Sequence, residues 1–152
     1  MSDPLGDIVR RLARLEVMAQ LRPDRAANFL TAYTPEYYGG TSAGVTTYAT
    51  DGQLGAYVIL GPMCLFTARL EWTAVTGTGE ARVSLPTTAA AYNHAVIVVP
   101  SAITYSQDYL VGQIIASTNY VNFRSPITNS SSTVVNIEAA GVLTISGLFA
   151  IA

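Results

Sequence analysis

Met63-Cys64-Leu65-Phe66-Thr67-Ala68-Arg69-Leu70-Glu71-Trp72-Thr73 sets the fold class. Cys64, Phe66, Ala68, Leu70 and Trp72 fall on one side of an extended chain, while Thr67, Arg69, Glu71 and Thr73 fall on the other. Successive strand side chains point to opposite faces, so this period of two specifies a half-buried strand. Downstream, Gly77-Thr78-Gly79 reads as a turn, and Ala81, Val83 and Leu85 form a second apolar face. Residues 63–85 therefore predict a hairpin. The same signature recurs at 45–50, 54–60, 94–99, 109–116, 119–124, 132–138 and 141–151, mostly separated by Gly, Pro, Ser and Asn clusters. Short strands with no helix between them predict a mostly β chain, with residues 45–152 as an antiparallel β-sandwich of jelly-roll type.

The period differs at the other end of the chain. Asp3-Pro4 is a helix start, with Asp as N-cap and Pro in the first turn. Leu5, Ile8, Leu12, Leu15 and Ala19 then follow at alternating spacings of three and four, the seam of a coiled coil. Pro23 ends the pattern, which gives a coiled-coil segment over residues 1–22 with a helix roughly 27 Å long that starts at Pro4. Arg11 falls at g and Glu16 at e, so each arginine can reach a neighbouring chain's glutamate while its methylenes cover the seam. The run Arg11-Leu12-Ala13-Arg14-Leu15-Glu16 resembles the trimerisation motif of short coiled coils. The expectation is a homotrimeric α-helical coiled coil; the alternative is a helix packed on the chain's own β domain. Two heptads are marginal in isolation, so the β domain must add contacts of its own. Residues 23–44, rich in Pro, Gly and Tyr, read as a linker.

Charge excludes several function classes. All eight basic residues are arginine, and Arg10, Arg11, Arg14, Arg22 and Arg25 lie in the first 25 positions. The rest of the chain holds Arg69, Arg82 and Arg124 against six acids, too weak a field to grip nucleic-acid phosphates. Half of the residues are apolar, only 12% are charged and the mean hydropathy is +0.34, a composition suited to burying surface in an oligomer. The most apolar segment, 56–66, is too short to span a bilayer and contains Gly61 and Pro62, so no membrane insertion is expected. The N-terminus lacks a signal-peptide core, and the single cysteine, Cys64, reads as a core residue.

Three stretches carry a family resemblance: Leu30-Thr31-Ala32-Tyr33-Thr34-Pro35, Gln53-Leu54-Gly55-Ala56-Tyr57-Val58, and Glu71 through the Gly77-Thr78-Gly79 turn to Ser84-Leu85-Pro86. Together they resemble C-terminal domains of tailed-bacteriophage minor tail and tail-fibre proteins. The resemblance covers residues 30–90 best; Asp51-Gly52-Gln53 departs from the glycine and basic residue usual before the long strand. It implies a virion protein, a homotrimeric tail fibre or tail-tip spike whose β head contacts the host surface. It would be made in the host cytoplasm without a signal peptide, and its N-terminal helix would dock to other virion proteins. A capsid decoration or head-fibre protein and a polysaccharide depolymerase are the alternatives.

Catalytic signatures are missing from the sequence. Glu71 and Glu80 would lie on opposite arms of the expected hairpin, but solvated partners for Arg69 and Arg82 explain them more simply. His94 is the only histidine, and one histidine is too few for a zinc site. No enzyme, metal or cofactor is expected. Tyr92-Asn93-His94 and Tyr105, Gln107, Asp108 and Tyr109 lie between strands, where rings stack and amides hydrogen-bond. They are the expected contacts with a host glycan or protein. Tyr37 and Tyr38 are expected to pack instead.

Overall fold

A computed structural model describes residues 30–103, 109–126 and 132–152. The coiled-coil positions Leu5, Ile8, Arg11, Leu12, Leu15, Glu16 and Ala19 lie outside the described residues, as do Tyr105, Gln107 and Asp108. Residues 31–152 form one unit, and every regular element described in it is a strand. These are β1 (Thr31–Tyr33), β2 (Tyr37–Gly39), β3 (Thr46–Leu60), β4 (Met63–Val75), β5 (Ala81–Ser84), β6 (His94–Pro100), β7 (Val111–Ile114), β8 (Tyr120–Ser125), β9 (Thr133–Val134) and β10 (Gly141–Ala150). The order across the sheet is β1-β3-β4-β10-β6-β7-β8-β5-β2, with β9 paired to β8, and every pairing is antiparallel.

This single sheet curls into a half-barrel, and β6 makes the corner. Its first residues, His94–Val96, pair with β7, and Ile97–Pro100 pair with β10. One wall is thus β1-β3-β4-β10 and the other is β7-β8-β5-β2. The walls face each other across the core, with Cys64, Phe66, Leu70 and Trp72 of β4 and Leu143, Ile145 and Phe149 of β10 on one side. Val83, Ile114, Val121 and Phe123 fill the other. Phe66 and Phe149 meet edge to face with centroids 5.7 Å apart.

Three local readings change. The hairpin expected over 63–85 does not form: β4 pairs with β3 and β10, whereas β5 pairs with β2 and β8. The apolar faces of β4 and β5 close the core from opposite walls. Between them Thr78 is held by Ser42, its N–H donating to Ser42 O at 2.9 Å, so the glycine turn becomes a crossing. The true hairpin is β3–β4, turned at Gly61-Pro62. Gly61 has φ +60° and proline follows, the sign pattern of a type II′ turn. Second, 45–50 and 54–60 are one strand interrupted by a bulge. Tyr48 pairs with Trp72 and Gln53 with Leu70, so four residues of β3 oppose Glu71 alone, with Asp51 at φ +56°. Third, β1 and β2 lie within the stretch that reads as a linker.

The seam between the two sheet ends is closed by side chains. Tyr48 Oη accepts from Tyr37 N–H at 2.7 Å, and Thr46 Oγ1 donates to Tyr37 O at 2.5 Å. Gln53 Nε2 donates to Pro35 O at 2.9 Å. Strand β2 is thereby tied to β3 without a ladder between them, which satisfies backbone groups that an open edge would expose.

Candidate functional site

The outside of the second wall carries the polar chemistry. On β8, Val121 and Phe123 point to the core, so alternation turns Tyr120, Asn122 and Arg124 to the opposite side, where Tyr120 and Arg124 are half-buried and Asn122 is fully covered. On β7 the core takes Gly112 and Ile114, which leaves Val111 and Gln113 outside. The register aligns Tyr38 with Arg82, Arg82 with Asn122, Asn122 with Gln113, and Gln113 with Ala95. A row of ring, guanidinium and two amides therefore crosses β2, β5, β8 and β7. Arg82 is held twice, by an ion pair with Glu80 and by its guanidinium lying 4.2 Å from the centroid of the Tyr120 ring.

Beside this row is a concavity of about 310 Å³, lined by Asn93, His94, Val111, Gln113, Arg124 and Ser132 among others. Among the described residues Arg124 forms no ion pair, in contrast to Arg69 and Arg82. Asn122, one pair across from Gln113, is 1% exposed, and among the described residues neither its Nδ2 nor its Oδ1 has a hydrogen-bond partner. A buried amide left unpartnered costs on the order of 1–3 kcal/mol. An unpaired guanidinium beside amides offers donors in excess of acceptors, which suits a hydroxylated or carboxylate-bearing surface.

A larger hollow of about 650 Å³ lies at the seam, where Glu36, Tyr38, Tyr48, Gln53, Ser84 and Asn119 line it. Its hydroxyl and amide groups are largely engaged in the fold: Tyr48 and Gln53 bind backbone as above, and Ser84 Oγ accepts from Glu36 N–H at 2.8 Å. It is therefore the weaker candidate.

Of the expected contact residues, Asn93 and His94 line the concavity. Both also have structural partners. Asn93 Oδ1 accepts from Ala116 N–H at 2.8 Å, which braces the β7–β8 turn. His94 opens β6, accepts from Ala150 N–H at 3.4 Å through Nε2, and sets its ring against Phe149. Tyr92 and Tyr109 are 69% and 54% exposed and stand outside the concavity's lining. Gln113 and Arg124 belong to no motif in the sequence; the alternation of β7 and β8 is the signal that carries them. Tyr37 packs within its own chain, 2% exposed.

Glu71 pairs with Arg69 at 2.6 Å, and Glu80 with Arg82. Each glutamate thus meets the arginine two residues away on its own stretch of chain. Among the described residues, no group of three or more His, Cys, Asp and Glu is arranged to hold a metal ion.

No family model and no curated protein matches the chain. Among solved structures, the fold is similar to part of the Dettilon tailspike protein, with a TM-score of 0.64 at 10% identity. The match covers 80% of this chain and 23% of the tailspike, so the chain spans about a quarter of that protein's length. Identity this low makes it a likeness of fold.

Proposed function

We propose that the chain is a structural virion protein of a tailed bacteriophage, a homotrimeric tail fibre or tail-tip spike. The observation that carries this reading is the fold likeness to a segment of a tailspike over 80% of the chain. The resemblance of residues 30–90 to tail-fibre C-terminal domains supports it independently. The heptads through Leu5, Ile8, Leu12, Leu15 and Ala19 hold three chains in register, and the N-terminus docks to neighbouring virion proteins. The β unit is the distal head. Its concavity at Asn93, Gln113 and Arg124 meets the host surface, where three weak sites on one particle act together by avidity. The function is binding, without catalysis.

Native mass spectrometry of the full chain at micromolar concentration tests the assembly; a trimer is expected, and a monomer overturns the reading. Incubation with host surface glycan followed by a reducing-end assay tests the absence of catalysis. No release is expected, and release makes the protein a depolymerase. A virion reconstruction distinguishes tail from head, with density at the tail tip expected.

A further inference from the structure

The two walls of the half-barrel differ in what they show to the outside. The β7-β8-β5-β2 wall presents Tyr38, Arg82, Gln113 and Arg124, as a wall facing water does. The outside of the other wall is largely aliphatic and continues onto the second half of β6. Its cross-strand rows follow from the register. Val58, Leu65 and Leu148 form one; Ala56, Thr67, Ser146 and Ile97 the next; Leu54, Arg69, Thr144 and Val99 the third. Ile97 is 72% exposed and Val99 59%, and Leu54, Leu65 and Leu148 are also exposed. These five form a patch at the upper end of what monomeric proteins leave in water.

The polar groups of this face identify its occupant. Thr67, Thr144 and Ser146 carry hydroxyls, each both donor and acceptor, and Ser146 Oγ already bonds Thr67 Oγ1 at 2.9 Å. The charged pair on the face, Arg69 with Glu71, sums to zero. A surface of aliphatics, hydroxyls and one internal ion pair asks for no charge in its partner, and the chain's own low-charge β unit offers such a partner. Four strands at about 4.8 Å spacing and the length from Leu65 to Glu71 give a footprint of roughly 20 Å by 20 Å. The corrugated area over such a footprint approaches the ~800 Å² per partner of a stable interface. In a closed ring of three, such a face on each copy meets a different patch of the next copy, a heterologous contact.

We infer that the outer face of β3, β4, β10 and the second half of β6 packs against a second copy of the chain. It is the contact that makes the β heads associate. The inference rests on the homotrimer reading and names the surface that reading needs, because two heptads alone are marginal.

The test is thiol labelling of full-length Ile97→Cys with a maleimide, across a dilution series followed by native mass spectrometry. Cys64 is fully buried and gives little background. Tyr92→Cys is the control, and Leu148→Cys replaces Ile97→Cys if that variant misfolds. The labelling rate at position 97 should fall at least tenfold on passing from monomer to oligomer, with the rate at position 92 unchanged. Fast labelling at 97 in a stable oligomer overturns the inference and leaves the homotrimer intact. Slow labelling at 97 in the dilute monomer also overturns it, since the chain then covers its own face. A monomer at every concentration removes the homotrimer and this contact together.

Discussion

Tyr37 and Trp72 stack with ring centroids 4.0 Å apart and hold the backbone of the same residue, Glu138, from both sides. Trp72 Nε1–H donates to Glu138 O at 2.9 Å, and Tyr37 Oη accepts from Glu138 N–H at 3.1 Å. Strands β2 and β4 and the approach to β10 are thereby joined at one point, although they come from opposite walls and distant parts of the chain. Truncating Trp72→Ala removes the stack and the indole donor together. The expected loss is about 3–5 kcal/mol in urea unfolding, against about 1 kcal/mol for Tyr37→Phe, which keeps the ring.

Burial pushes the Tyr37 phenol up to about 12, against the backbone hydrogen bond to Glu138, which lowers it. Its contribution to stability is complete below the unfolded-state value near 10 and is lost as pH rises through the folded value. Tyr33 is raised in the same direction by burial and then by Cys64. Unfolding free energy should be insensitive to these phenols at pH 7–9. It should fall above pH 10 by about 1.4 kcal/mol per pH unit for each group. Urea titrations at pH 9, 10 and 11 measure this, and Tyr37→Phe should flatten the alkaline slope.

Two glycines with positive φ should respond differently to alanine. Gly61 at the β3–β4 turn has φ +60° and open space where a Cβ would stand. Gly61→Ala should cost about 1–3 kcal/mol, the strain of a positive-φ turn backbone alone. Gly79, at φ +91°, would set its Cβ 2.7 Å from Thr41 N and against the Thr41 side chain. Gly79→Ala should therefore cost more than Gly61→Ala, by about 1–3 kcal/mol on the scale of local backbone strain. Paired thermal melts of the two variants check the order.

Asn122→Leu replaces an unpartnered buried amide with an apolar side chain of similar size. Stability should rise, by about 1 kcal/mol, because no bond is lost and a desolvation cost is removed. A lower denaturation midpoint would mean that the amide is satisfied in the folded chain.

Arg124→Ala and Gln113→Ala test the concavity. Each should weaken adsorption of the labelled protein to host cells at least tenfold, about 1.4 kcal/mol. The melting temperature should stay close to that of the parent chain, since neither side chain belongs to the core. Unchanged adsorption would move the host contact elsewhere, to the exposed Tyr92 and Tyr109 first.

Local pattern alone sets where most of the chain is extended and which side of β4 is apolar. Cys64 to Trp72 and Gly141 to Ala150 show it, because a strand's period is a property of neighbouring residues. The burial of Cys64 is legible for the same reason, and so is the pairing of Glu71 with Arg69. Tertiary structure alone decided which strands meet. The Gly77-Thr78-Gly79 stretch looks like a hairpin turn locally, yet Ser42, far away in sequence, holds it as a crossing between walls. Strands β1 and β2 have three residues each, too few to express a period, and are defined by their partners β3 and β5. The site divides the same way. Asn93 and His94 were visible as polar residues beside a strand start. Gln113 and Arg124 become a site only when register sets β7 beside β8. The aliphatic outside of β4, β10 and β6 is likewise a product of register, for Leu65, Leu148 and Ile97 are scattered in sequence and share a surface only when those strands pair.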